Sequence, residues 1–264
     1  MVSNGQAPAG TNLSFTKFIF IIPHQDDANT IGKIRSVGAN ISRGFFNDYD
    51  ADGARDPQPQ ETIQFLLADG EQEGREGIGA SRYAVQLSAN YRPRLHEVAC
   101  ELERRLNGAA DLIVLDGAER ATRYTSAEMH NYAYKPAPSR LSGRLARNAI
   151  LLPMSKTAAW WEKTALERTS YFYPHHKEGT GAPVHGHARS AEPGIKTIFR
   201  KLYHNPDGYQ REGEFDFLTY FESTDENLPV FDQICLALRD QRQNPEWKYV
   251  VEGPEWRGKR VLRW

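Results

Sequence analysis

The chain has 264 residues, 39% hydrophobic and 25% charged, with a net charge of −1 and a pI near 6.7. That length and apolar content support a sizeable core, and the even charge balance excludes the basic excess of a nucleic-acid binder. Two cysteines exclude a disulfide framework, and no apolar run is long enough for a membrane helix.

The opening "MVSNGQAPAGTNLSF" lacks the basic start and apolar core of a secretory signal, so residues 1–14 read as a tail on a cytoplasmic protein. "KFIFIIPHQDDANTIGKI", from Lys17, reads as an apolar strand ending at Pro23 and leading into a helix. "DYDADG" (Asp48 to Gly53) has the opening of a calcium loop. Its twelfth position is Pro59 where a bidentate Glu is required, so a solvated acidic loop is expected. From Ile63 to Asn90 the pattern is strand, long turn, strand. The glycine-rich "GREGIGASR" in that turn joins two strands rather than a strand and a helix, which argues against a phosphate cradle. Pro93 suits a helix start, and Leu95, Val98, Ala99, Leu102 and Leu106 form its apolar stripe. The strand "DLIVLDG" ends at Gly117, and 118–146 is a long connector rich in Tyr, Pro and Arg.

The pattern then repeats. "RNAILLPMSKTAAWWEKT" begins at Arg147 and puts Pro153 130 residues after Pro23. Segment 174–194 carries His175, His176, His185 and His187. Zinc would find ligand-type residues there, but no cysteine and no HExxH spacing. "IFRKLYHNPDGYQREGEFDFLTYFE" reads as two strands around an Asn-Pro-Asp-Gly turn. Alternation puts Phe199, Lys201 and Tyr203 on one face and Arg200, Leu202 and His204 on the other. In the second strand Phe215, Phe217, Thr219 and Phe221 share a face, with Asp216, Leu218, Tyr220 and Glu222 opposite. Pro229 opens a helix with a stripe of Phe231, Ile234, Cys235 and Leu238, and "WKYVVEG" ends at Gly253. Cys100 and Cys235 hold equivalent places on the paired helices and read as buried, inert thiols.

Each half is therefore β-α-β-β-α-β, the ferredoxin-like order. The expected fold is α+β: duplicated ferredoxin-like halves (a dimeric α+β barrel) with antiparallel sheets and helices outside. The expected organisation is a tail over 1–14, an N-terminal half over 15–130, a connector over 131–146 and a C-terminal half over 147–264. Arg200 by itself reads either as a surface arginine whose stem covers apolar neighbours or as a functional group.

"LLPMSKTAAWW" and "FRKLYHNPDG…FDFLTYFE" resemble the chlorite dismutase-like haem family, most densely from about Leu151 to the C-terminus. The N-terminal half matches in shape more than in residues. The resemblance implies a non-covalent haem b held by one histidine; no CxxCH is present for covalent attachment. In chlorite-degrading members that histidine precedes a distal arginine by thirteen residues, and counting back from Arg200 gives His187. His185 is the alternative iron ligand. The loop before His187 is longer here than in typical members. Tyr124, in "RYTSAE", falls where the family has a tyrosine near the haem edge. Trp160 and Trp161 would line the cofactor. The family also supports its histidine with a carboxylate. Asp240 and Glu246 lie near that place, and neither falls cleanly on it.

By the same resemblance Arg200 would stand on the ligand side of the iron. A guanidinium stays charged and attracts anions more strongly in an apolar pocket than in water. The implied reaction turns chlorite into chloride and O2, with Arg200 retaining hypochlorite; Arg200 and Tyr124 are the catalytic candidates. Three alternatives share the fold. One is peroxide-driven decarboxylation of coproporphyrin-type haem with Tyr124 as radical site, since "MSK" at Met154 resembles those members. Another is a haem enzyme of specialised metabolism acting on an organic substrate. The last is a haem-binding protein without turnover. The resemblance also implies a small-molecule substrate (a small anion or peroxide) and a homo-oligomer, typically a pentamer. Neither nucleic acid nor membrane is expected as a partner.

Overall fold

Two nine-residue apolar segments, Phe15–Pro23 (β1) and Asn148–Lys156 (β6), form the central strands of two similar halves. A computed structural model describes residues 14–50, 52, 61–70, 74–119, 138–177 and 179–264. The first half continues with α1 (Ala28–Ile41), the short β2 (Phe46–Asn47), β3 (Thr62–Ala68), β4 (Tyr83–Ala89), α2 (Arg92–Leu106) and β5 (Ala110–Ala118). The second has short helices α3 (Ala158–Trp161) and α4 (Ala165–Ser170), a small hairpin of β7 (His175–His176) and β8 (Pro183–Val184), and α5 (Gly186–Ala191). It ends with β9 (Phe199–His204), β10 (Phe217–Ser223), α6 (Leu228–Arg239), β11 (Val250–Glu252) and β12 (Trp256–Val261).

Strand order is β5-β1-β4-β3 in one half and β11-β6-β10-β9 in the other, the same order twice. The fold is thus α+β with duplicated ferredoxin-like halves. β12 joins them, pairing with β3 on one side and β6 on the other. β5 meets β9 through Ala118 and His204. The strands so close into a barrel, which removes the exposed edges an open sheet would present.

Alternation divides the side chains. Phe18, Phe20, Leu151, Tyr203, Leu218, Tyr220 and Trp256 fill the lumen, and the intervening residues face the helices. Each large apolar side chain so buried contributes roughly 1.5–3 kcal/mol. The lumen also holds charged side chains. Glu222 and Arg260 are fully buried and 3.0 Å apart. Arg140 reaches in from residues 138–146 to bind Glu222, Asp48 and Gln64. These groups balance one another's charge, the condition for tolerating ions in a low-dielectric interior.

Four expectations need correction. β6 does not stop at Pro153 but runs to Lys156, because β10 and β11 both pair with its far end. The second half does not close with the strand ending at Gly253 but continues into β12, whose Arg260 points into the lumen because Glu222 and Gln64 bind it there. Cys100 is exposed, lying on the solvent side of α2, whereas Cys235 is buried. The acidic loop is not simply solvated: Asp48 binds Arg140, Asp50 binds Arg144 at 2.9 Å, and Asp52 accepts from the Ser142 amide.

Candidate functional site

A cavity of about 240 Å3 lies between the outer face of the second half's sheet and its helices, far more than the ~15 Å3 one water needs. Period-two alternation builds its sheet wall. Leu152, Met154 and Lys156 come from β6, Arg200 and Leu202 from β9, and Phe217, Thr219 and Phe221 from β10. The face assignments expected for β9 hold, as do those for β10 from Phe217 onward, and Arg200 stands opposite Phe221 in the β9–β10 register. Phe215, expected on the same face, precedes β10 and packs against the lumen cluster instead, because strand alternation does not extend past the strand's start. The helical wall carries Trp160, Phe172, His187, Ile195, Ile234 and Cys235. The surface is mostly apolar with a few polar groups, the usual make-up of a small-molecule site.

His187 is placed by the start of α5. Its amide donates to the Tyr171 carbonyl and the next amide to the Phe172 carbonyl. Gly186 has φ +64°, and a Cβ there would lie 2.6 Å from the Tyr173 carbonyl oxygen, so this turn requires glycine. The imidazole stacks on Phe172, and its Nδ1 lies 3.2 Å from Glu246 Oε2. Glu246 sits on the single 3-10 turn Pro245–Tyr249 that follows α6. Its other oxygen binds Lys156 Nζ at 2.5 Å. Burial alone would push this carboxyl upward; the Lys156 ammonium and the His187 hydrogen bond bring it down to about 2. It therefore remains an anion, able to accept from Nδ1–H and leave Nε2 toward the cavity. Lys156 also lies 4.2 Å over the Trp160 ring, a cation–π contact that fixes the indole.

The structure thus brings His187, Arg200 and Trp160 to one cavity, the first and last on the helical side and Arg200 on the sheet side. The other candidates lie elsewhere. Trp161 does not line the cavity, contrary to expectation. It stacks on Tyr209 at 4.4 Å and its indole donates to Asp216, because consecutive residues of α3 point to different sides. His185 precedes α5 and does not line the cavity. His175 and His176 are exposed on β7. Among the described residues no group of three His, Cys, Asp or Glu side chains could hold a metal ion. Asp240 caps α6 and turns to Arg242. Tyr124 lies outside the described residues. Lys156 and Phe172 were missed. Lys156 had a readable signal, since it follows Met154 by two positions on one strand face.

The donor set suits a haem: one imidazole with an anionic partner, an apolar slot, and a guanidinium from the other wall. The class that fold and cavity define is a duplicated ferredoxin-like barrel with a ligand cavity in its second half. No protein-family model matches the chain. The chlorite dismutase of Ideonella dechloratans is 32% identical over 110 residues, 42% of this chain and 31% of that protein, so the match spans about a third of the relative's length. An arginine-to-alanine variant of chlorite dismutase from Candidatus Nitrospira defluvii shares the fold with a TM-score of 0.65 at 19% identity, over 94% of this chain and 91% of that one. The same relative's complex with imidazole gives 0.62 at 18% identity, over 95% and 91%. Over those 110 residues the chain is similar in sequence to a chlorite dismutase, and over nearly its whole length it shares the chlorite dismutase fold. Among the described residues no helix is long and apolar enough to cross a membrane.

Proposed function

We propose that the cavity holds a non-covalent haem b with His187 as its iron ligand, and that the protein is a haem-dependent oxidoreductase converting chlorite to chloride and O2. The observation that carries this reading is the Glu246-supported His187 on the helical wall of a cavity whose sheet wall bears Arg200. When bound, the haem supplies redox and oxygen-atom-transfer chemistry. Glu246 holds the proton on His187 Nδ1 and strengthens the imidazole as a ligand. Lys156 keeps Glu246 ionised. Arg200 attracts the anionic substrate and retains hypochlorite until chloride and O2 form. Leucine and phenylalanine walls exclude water, which strengthens that attraction.

The test is a haem titration followed in the visible spectrum, then an oxygen-electrode trace after adding chlorite. His187→Ala should lose or strongly shift the haem spectrum while the fold survives. If His187→Ala keeps a native spectrum and His185→Ala abolishes it, the ligand is His185. Replacing Arg200 by Lys and then by Ala should weaken fluoride or cyanide binding in that order, by about 2–4 kcal/mol for the full loss. Equal affinity in all three proteins would mean Arg200 has no role in binding anions. Consumption of bound coproporphyrin iron by peroxide, without O2 from chlorite, would replace this reaction by decarboxylation. By family resemblance we also propose a cytoplasmic homo-oligomer, a pentamer; a monomer in light scattering would reject that part alone.

A further inference from the structure

Outside the cavity, Trp160 belongs to an aromatic cluster that leads away from it. The Trp160 ring centroid lies 5.6 Å from Tyr171 and 5.6 Å from Tyr249, and the two tyrosines are 5.6 Å from each other. Their hydroxyls are 3.3 Å apart. Trp160 is 7% exposed and sits in the cavity wall, whereas both tyrosines are half-buried at its outer side. Tyr249 is on the same 3-10 turn as Glu246, so one turn carries both the support of His187 and the outer end of the cluster.

Charge gives this cluster a direction. Lys156 Nζ lies 4.2 Å from the Trp160 ring, and a cation there opposes a second positive charge on the indole. Glu246 shares that ammonium and offsets the opposition only in part. A tyrosine that loses an electron also loses its phenolic proton and ends neutral, so it escapes this penalty. Lys163 Nζ lies 5.1 Å from the Tyr249 ring and Lys248 Nζ 4.9 Å. Hydrogen bonding from Tyr171 and the neighbouring ammoniums holds the Tyr249 hydroxyl below its ordinary range, which eases release of the proton.

We propose that Trp160, Tyr171 and Tyr249 form a one-electron relay from the cavity to the surface, where Tyr249 oxidises small anionic reductants such as phenol carboxylates. The inference rests on the haem reading of the cavity for its oxidant, a peroxide- or oxyanion-derived one-electron acceptor. Trp160 gives that acceptor one electron. The tyrosine pair returns one electron to Trp160, and Tyr249 releases its phenolic proton to bulk water, leaving a neutral phenoxyl radical. An external phenol supplies one electron and one proton to restore Tyr249. Lys163 and Lys248 favour a donor that carries negative charge.

The experiment uses the haem-loaded full chain mixed with one equivalent of peracid and frozen for electron paramagnetic resonance, with ring-deuterated tyrosine to identify the radical. A tyrosyl signal is expected. It should be lost in Tyr171→Phe/Tyr249→Phe, which keeps both rings and the haem spectrum, and in Trp160→Phe. A tyrosyl signal of full intensity in the double variant overturns the relay, as does the absence of any protein radical when the haem has reacted. If no haem binds, the cavity reading fails, and a second measurement addresses the relay alone. Pulse-generated azide radicals oxidise the haem-free protein, and indolyl absorbance is followed as it converts to phenoxyl absorbance. A fast phase present in the native chain and lost in both variants supports the relay. Unchanged kinetics in both variants overturns it.

Discussion

The two halves share one strand order and differ in what lies on the outer face of the sheet. In the first half, α1 and α2 pack straight onto it. Ile34, Val37, Leu95, Val98, Leu102 and Leu106 close over Ile19, Ile21, Ile63, Phe65, Val85 and Leu87. The final residue, Trp264, tucks under α1 at Gly38, where a Cβ would meet its ring at 2.7 Å. In the second half the position of α1 is taken by α3, α4, a hairpin and α5, none longer than six residues. Pro174, Pro183, Gly186, Pro193 and Gly194 interrupt any longer helix, since proline removes a donor and glycine weakens the helix. The broken segment covers the sheet incompletely and leaves the cavity. The same strand order thus carries a closed core where the covering helix is intact and a cavity where it is broken.

The sharpest way to break this comparison is at the lumen, where both halves meet. Glu222 serves Arg140 and Arg260, so Glu222→Gln leaves two buried guanidiniums short of their counter-charge. A loss of about 3–5 kcal/mol is expected from the shift in urea midpoint. A loss below 1 kcal/mol, roughly the level of surface ion pairs, would show that the lumen admits water freely.

Next come matched truncations on the paired helices. Leu102 is fully buried beneath α2, whereas Leu238 of α6 lines the cavity. Leu102→Ala should cost about 2–5 kcal/mol and Leu238→Ala only about 1–2, because the second removes atoms that border existing space. Equal costs would mean that the second half is packed as tightly as the first.

Acid offers a third test. The folded Glu246 carboxyl is depressed to about 2 from its ordinary value, so its contribution is complete above the ordinary carboxylate range and is lost as pH falls toward 2. On the order of 3 kcal/mol should separate the native chain from Glu246→Gln near neutrality, narrowing as pH drops below about 4. A gap that does not change with pH would mean that the Gln variant is weakened by packing rather than by charge.

The smallest effect is chemical. Only a thiolate reacts readily, and burial pushes the Cys235 thiol up to about 11. Cys100 should take up a thiol reagent in the native state and Cys235 only on unfolding. Rapid double labelling would indicate that the cavity wall opens.

Much of this was legible in the residues. Alternation set Arg200 with Leu202 in β9 and Phe217 with Thr219 and Phe221 in β10, helix stripes found α2 and α6, and the family resemblance pointed to His187 with His185 as the alternative. Local periodicity is a property of adjacent residues, so a sequence carries it complete. What only the tertiary structure decided depends on distant segments. Glu246 meets His187 across 59 residues, through a turn whose direction follows from how α6 ends at Asp240 and Asn244. Trp160 and Trp161 are neighbours in the chain, yet only one faces the cavity, because the phase of a four-residue helix is set by its packing. The charged strand β12 lies in the barrel because Glu222, Gln64 and Arg140 form an interior site for Arg260. Charge by itself says surface; its burial is fixed by partners that the chain order does not reveal.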